Sequence, residues 1–349
     1  MARVRKPPIP LTVVIGPLGA GKTTLINRLL GDPGFANTAV ILNEFGDVAL
    51  ENALVERADD EIVSLGSGCI CCSVRGELVA ALERLLRDLD NGRVAAIGRV
   101  VIEADAAADP AAILSAVGMH PYLSLRYRPD GVIAVVAAGD VPDVLRVPIA
   151  ARRLAMADVI ALSKIDGADS DVPEALAALN PLAAIVDAAS VTPVTITGHG
   201  AFDPAKTNVD RWLGAIDAPT SPQASISTFS LARNRSIPIF ALDNYVELMG
   251  ALLGNQLLRV RGMVATGEGE SAVVEALGGF FRPLVLIPTP ADNAPATRFT
   301  VTAAGLDADG FAAYLDAFLN EARIDTPDRV ALTDNPLRIA GFSARGGGN

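Results

Sequence analysis

Two patterns of apolar and polar positions divide the chain. In the N-terminal part, short and almost wholly apolar runs recur at Leu11–Ile15, Val40–Asn43, Arg99–Ile102, Gly131–Val136, Val159–Leu162 and Ala183–Val186. Each is too short for a stable helix and rich in β-branched residues, which predicts strands buried on both faces. Segments of helical period lie between them. Thr24–Leu30 brings Leu25, Ile26, Leu29 and Leu30 to one side, and Glu77–Leu89 aligns Leu78, Leu82, Leu85, Leu86 and Leu89 opposite Arg84, Arg87 and Asp88. Ile149–Met156 reads as a further helix and Glu61–Leu65 as a further strand. Strands and helices in alternation predict an α/β fold with a mainly parallel sheet covered by helices on both faces.

Beyond this part the period changes. Ser225–Leu231 alternates as a strand, Asn244–Leu253 reads as a helix, Leu257–Val264, Pro283–Ile287 and Phe299–Ala303 as strands, and Asp309–Asn320 as a helix. That order predicts a smaller α+β unit with antiparallel pairing. Between the two, Asp217–Ser225 is polar and carries prolines, which is linker composition. The expected organisation is a first domain over 1–216, a linker over 217–225, a second domain over 226–342 and a flexible glycine-bearing tail over 343–349. The chain's 349 residues agree with two domains.

Charge narrows the function classes. Lys plus Arg number 29 against 40 Asp plus Glu, for a net charge of −11, which repels phosphate backbones and anionic membrane surfaces. Nucleic acid and membrane are therefore not expected partners. The longest apolar stretches, such as Val132–Ala138, fall far short of the roughly 20 residues of a membrane-spanning helix. The basic start, Met1–Pro10, leads into an apolar run that breaks at Gly16-Pro17 before a secretory signal can form, so the expected location is the cytoplasm.

The chemistry begins at Gly16-Pro17-Leu18-Gly19-Ala20-Gly21-Lys22-Thr23, which fits G-x-x-x-x-G-K-[ST] between a predicted strand and a predicted helix. In such a loop backbone N–H groups turn inward around phosphate, the helix N-terminus adds its dipole, the lysine reaches the β and γ oxygens, and the threonine hydroxyl coordinates magnesium. Gly16, Gly19, Ala20, Gly21, Lys22, Thr23 and the following Thr24 are the candidate phosphate contacts. Ser163-Lys164-Ile165-Asp166 follows an apolar strand and differs by one residue from Asn-Lys-x-Asp, the pattern that reads guanine. A carboxylate at Asp166 would accept from guanine N1 and N2 hydrogens that adenine lacks, with the Lys164 stem over the base. Asn43-Glu44-Phe45-Gly46-Asp47 follows the second strand, and Asp47 and the strand-end Glu103 are candidate acids near the metal and the attacking water. Lys22, Thr23, Asp47 and Glu103 form the candidate catalytic set. No residue declares itself as an arginine finger or a water-positioning glutamine, so slow intrinsic hydrolysis is expected.

All three cysteines, Cys69, Cys71 and Cys72, lie within four residues. That layout does not suit a disulfide framework, and three thiolates can converge on one ion. Zinc is the first candidate, with cobalt, nickel and Cu(I) also accepting such ligands. Three protein ligands leave a position open, which suits a metal that must be released. His120 and His199 are the only histidines, and either could lend a fourth ligand.

Taken in order, the phosphate loop, Asn43-Glu44-Phe45-Gly46, Gly68-Cys69-Ile70-Cys71-Cys72 with Arg75-Gly76-Glu77-Leu78 after it, Glu103 and Lys164-Ile165-Asp166 resemble the CobW-like P-loop GTPases, metallochaperone relatives of the nickel-insertion GTPases of urease and hydrogenase. Arg259-Val260-Arg261-Gly262 is similar to the Arg-x-Lys-Gly strand of that family's C-terminal domain. The resemblance implies GTP, GDP and magnesium binding, slow GTP hydrolysis, a transition metal on the cysteine motif, and delivery of that metal to a client metalloprotein. The chain departs at Ser163, where Asn is usual, at Ala106, where the family has a glycine, and at Glu51, where Asp is common. It also lacks a histidine-rich metal store. Two other functions fit parts of the pattern: a nucleotide-dependent scaffold with a structural metal and little turnover, and an ATP-using small-molecule kinase. A homodimer that completes the metal site across its interface is compatible with the sequence.

Overall fold

The computed structural model describes residues 7–43, 62–65, 73–94, 96–104, 108–167, 169–199, 209–214, 225–267, 269–290 and 295–319. In the N-terminal part, strands β1 (Ile9–Ile15), β2 (Thr38–Asn43), β3 (Ile62–Leu65), β4 (Arg99–Ala104), β5 (Tyr127–Ala137), β6 (Val159–Ser163) and β7 (Ala184–Asp187) form one seven-stranded sheet in the order β3-β2-β4-β1-β5-β6-β7. Every pairing in it is parallel. Helices α1 (Lys22–Leu30), α2 (Ser73–Asp90), α3 (Pro110–Gly118), α4 (Leu123–Arg126), α5 (Val141–Arg146), α6 (Pro148–Met156), α7 (Val172–Leu179), α8 (Pro193–Ile196) and α9 (Val209–Leu213) belong to the same stretch of chain.

The wholly apolar strands follow from this layering, because each face of the sheet has a core of its own. Leu11, Val13 and Ile15 of β1 join Leu82 and Leu86 of α2 and Leu114 of α3 on one side. Val14 turns to the other, with Leu25, Ile26 and Leu29 of α1 and Val40, Val101 and Val135 of the neighbouring strands. β5 begins four residues before the apolar run that announces it, since Arg128, Pro129 and Asp130 precede that run. The register with β1 slips there, from Leu11 opposite Pro129 to Thr12 opposite Gly131, so one extra residue sits in the strand. The sequence marks α3 only by its start signal: Asp109 caps it, its carboxylate accepting from Ala111 N at 2.9 Å, and Pro110 takes the first turn.

The second sheet is antiparallel throughout. Its strands β8 (Ile226–Arg233), β9 (Leu257–Ala265), β10 (Glu270–Leu277), β11 (Phe280–Phe281), β12 (Val285–Pro288) and β13 (Thr297–Ala304) run in the order β11-β10-β9-β13-β8, with β12 also on β10. β10 is the strand that periodicity overlooks; its Ala and Glu residues carry little strand preference, and only the ladder to β9 makes it one. Helices α10 (Ile239–Leu253) and α11 (Ala308–Leu319) cover one face, where Phe311 meets Phe229 and Phe299, each at a ring separation of 5.9 Å. The opposite face is polar along β8, β13 and the Arg259–Arg261 part of β9. Thr228 pairs with Thr302 at 3.0 Å and Ser230 with Thr300 at 3.2 Å, and Arg259 and Arg261 of β9 lie in the same rows. Both arginines bond to the buried Asp158 at the head of β6, Arg261 at 3.2 Å, while Asp158 also accepts from Val132 N at 2.9 Å. Arg259 further donates to Met156 O at 2.9 Å and Arg261 to Trp212 O at 2.7 Å. The Arg-x-Arg-Gly strand thus ties the second sheet to the first, beside Ile226 and Leu258, which join the first unit's core. Trp212 and Leu213 of α9 pack on this same face of the second sheet, with Met263, Val273 and Ile287. The expected linker, 217–225, lies outside the described residues except for Ser225.

Candidate nucleotide site

The loop after β1 lies at the C-terminal edge of the parallel sheet, at the centre of the strand order, the crevice where open α/β sheets bind ligands. Its backbone needs glycine most plainly at the first and last of its three glycines. A Cβ at Gly16 would stand 2.2 Å from Val135 O of β5, and Gly21 has φ +95° where it caps the N-terminus of α1. Lys22 is 8% exposed and its Nζ donates to Gly16 O at 3.0 Å and Pro17 O at 3.2 Å, so the loop is wrapped around its own lysine. The Thr23 hydroxyl donates to Glu103 Oε1 at 2.9 Å. Glu103, 3% exposed, is next to last in β4 and lies opposite Val14 of β1 and Leu42 of β2. Parallel pairing brings residues 80 positions apart to one point, and two oxygen donors there are a fit for a hard divalent cation.

The segment at the end of β6 meets the same loop. Ser163 Oγ donates to Ala20 O at 2.5 Å, so the residue that stands in place of the usual asparagine pins the base segment to the phosphate loop. Lys164 follows with φ +50°, and Lys164, Ile165 and Asp166 are exposed along a cleft of about 500 Å³. Ala20, Gly21 and Thr24 line the same cleft, so the candidate phosphate and base residues share one continuous site. Its far wall comes from residues that sequence reasoning missed: Arg28 of α1 and Asp187, Ala188 and Ala189 at the end of β7. There the Asp187 carboxylate accepts from Ala189 N at 2.8 Å, Ala188 N donates to Leu162 O at 2.7 Å, and Arg28 donates to Val191 O at 3.1 Å. The available signal was their position just past the next apolar strand, because in such a sheet every strand end faces the crevice.

Asp47, Cys69, Cys71 and Cys72 fall outside the described residues. Among the described residues no group of three or more His, Cys, Asp or Glu side chains gathers as a metal site. The two histidines lie toward the N-terminal edge of the parallel sheet. His120 lies just before α4, where its Nδ1 accepts from Leu123 N at 3.2 Å and its Nε2 is 3.6 Å from Glu83. His199 Nε2 lies 2.7 Å from Thr195 O, and its Cβ faces Gly131 near the start of β5. The chain leaves β3 at Leu65, four residues before Cys69, at the opposite edge, because all seven strands run parallel.

A phosphate loop with its threonine on a strand-end carboxylate, joined to a base segment that carries Lys164 and Asp166, defines a P-loop GTPase. The profile of the CobW/HypB/UreG nucleotide-binding domain matches residues 10–191, and the chain belongs to that family. It is 39% identical over 270 residues to the zinc chaperone YjiA of Escherichia coli K12, covering 74% of this chain and 82% of that protein. It is 30% identical over 192 residues to the zinc-regulated GTPase metalloprotein activator 1 of Schizosaccharomyces pombe, covering 52% of this chain and 46% of that one. The crystal structure of Zn(II)-bound YjiA GTPase from E. coli superposes with a TM-score of 0.62 at 25% identity, over 90% of this chain and 99% of that one. Among the described residues no helix is long and apolar enough to cross a membrane.

Proposed function

We propose that this chain is a GTP-dependent metal chaperone of the cytoplasm. It binds GTP with magnesium, takes a transition metal on Cys69, Cys71 and Cys72, hydrolyses GTP slowly and hands the metal to a client metalloprotein. Zinc is the first candidate, supported by the zinc chaperones and zinc-regulated activators among its relatives, and cobalt is the second. The observation that carries the reading is the Thr23–Glu103 bond. It lies one strand from β2 and two from β3, whose ends lead into Asp47 and into the cysteines. A change at the γ-phosphate therefore occurs beside the roots of both segments.

Each residue has a definite part in this reading. Lys22 balances the β- and γ-phosphate charge, and Thr23 with Glu103 would hold magnesium, which neutralises phosphate charge when bound. Ser163 fixes Lys164 and Asp166 against the loop so that the base is read in register with the phosphates. Asp47 is the acid of the segment that responds to the γ-phosphate. Three thiolates suit zinc as cargo because they leave a coordination position for transfer, which the client or a second copy of the chain would fill.

Hydrolysis of GTP and ATP at fixed magnesium, with and without one equivalent of zinc, tests this function. GTP should be preferred, and zinc should change the rate in the wild type but not in a Cys69→Ser, Cys71→Ser, Cys72→Ser variant. Turnover indifferent to zinc would leave the cysteines structural and favour a scaffold, and a preference for ATP would remove the base assignment.

A further inference from the structure

A groove of about 730 Å³ runs between the end of α3 and α10, on a part of the molecule that shares no residue with the nucleotide cleft. Its floor is apolar. Phe280 of β11 lies close against Gly118, where a Cβ would be only 2.7 Å from the ring, and Leu284 continues the floor beyond it. Met119, just past α3, stands on the rim at 73% exposure. The α10 wall carries Asp243 and Glu247, one turn apart and both exposed.

These two carboxylates have no hydrogen-bond or ion-pair partner among the described residues. Two other exposed carboxylates, Asp90 and Asp143, are paired with Arg126 and Arg146 at 2.7 and 2.8 Å. The one cation lining the groove, Arg282, is already paired with Glu275 at 2.8 Å. Like charges at i and i+4 oppose each other on a helix, so α10 keeps an unfavourable pair along a concave, apolar-floored surface. An apolar centre with a charged rim is the anatomy of a protein-binding patch, and the charge that would relieve this rim is positive.

We propose that the α3–α10 groove docks a segment of a partner protein whose apolar side chains seat on Phe280, Leu284 and Met119 and whose lysines or arginines face Asp243 and Glu247. The docking does not depend on metal binding or on the metal-chaperone reading. The net negative charge of the whole chain steers such a segment inward.

The test uses the full chain, loaded with GDP, and a fluorescein-labelled peptide of alternating leucine and lysine, with two controls that replace either every leucine by serine or every lysine by glutamate. Fluorescence polarisation should give a dissociation constant below about 100 μM for the leucine–lysine peptide, and at least about tenfold weaker binding for both controls. An Asp243→Lys, Glu247→Lys variant should lose the leucine–lysine peptide and gain the glutamate one. Met119→Asp should also weaken binding, although it adds a negative charge that would strengthen mere charge attraction to a basic peptide. GDP affinity, unchanged in both variants, reports that they remain folded. Absence of binding, equal binding to wild type and variants, or tighter binding to Met119→Asp overturns the proposal. So does concentration-dependent self-association that Met119→Asp abolishes, since it would assign the groove to a second copy.

Discussion

Gly16 and Ser163 each make a contact that shapes the candidate phosphate loop. A methyl group at position 16 collides with Val135 O, an atom fixed in the central ladder, so either the loop or β5 must move. Gly16→Ala should weaken GDP binding by about 100-fold or more, roughly 2.7 kcal/mol, in an isothermal titration. Ser163→Ala removes one hydrogen bond between the base segment and the loop, about 1 kcal/mol, and should weaken GDP binding about fivefold. Ser163→Asn can still donate to Ala20 O and should bind GDP at least as well as the wild type; if Ser163→Asn fell as far as Ser163→Ala, the pin would not be what matters there. At this scale the sequence was most legible where the chemistry is local. The phosphate loop is eight consecutive residues, and Lys164 and Asp166 are two apart, so spacing and the flanking elements single them out as candidates, and the structure puts both segments on one cleft. Arg28, Asp187 and Ala189 come from separate elements and meet only because α1 and β7 flank β6, a relation that no spacing encodes.

Asp158 shows what strands do together. It heads β6, whose far end carries Ser163, and it receives both arginines of β9. Burial and the neighbouring Arg259 push Arg261 down to about 10, still charged at neutral pH, so Asp158 is the counter-charge to two buried cations. Asp158→Ala should cost about 3–5 kcal/mol, because it leaves those cations uncompensated, and should lower the thermal midpoint measured by calorimetry. A pair at the edge of the second sheet behaves differently. Arg233 on β8 holds the Asp316 carboxyl of α11 below the usual carboxylate range. A carboxyl with a depressed folded pKa contributes stability above its unfolded value and loses it as pH falls through the folded one. Asp316→Asn should therefore cost no more than about 1 kcal/mol at pH 7, the range of solvent-screened pairs, and the difference from wild type should vanish in acid. The sequence offered Arg259 and Arg261 only as part of a family strand. Their partner lies about a hundred positions upstream, in a segment with no motif of its own.

For the molecule as a whole, the apolar strand runs were sufficient to predict a parallel sheet covered on both faces, because burial on two sides leaves no room for polar alternation. The antiparallel unit was partly legible for the complementary reason. Its strands have one face on the α10–α11 core and one face of threonine, serine and arginine, and alternation survives where the polar face is well populated, as on β8 and β13. It fails on β10, whose small residues blur the period. The polar face joins the second sheet to the first through the Arg259 and Arg261 guanidinium contacts, and the nucleotide crevice opens at the far edge of the same parallel sheet. In the proposed function, nucleotide at this crevice and metal at the cysteines are linked. Linkage requires each ligand to change the affinity of the other by the same factor. The most direct measurement is zinc affinity by competition titration without nucleotide, with GDP and magnesium, and with a non-hydrolysable GTP analogue and magnesium, in the wild type and in the Cys69→Ser, Cys71→Ser, Cys72→Ser variant. Zinc affinities should differ by about tenfold between the GDP and GTP states, on the order of 1–3 kcal/mol of coupling, with no such difference in the variant. Equal affinity in all three states would contradict the linkage.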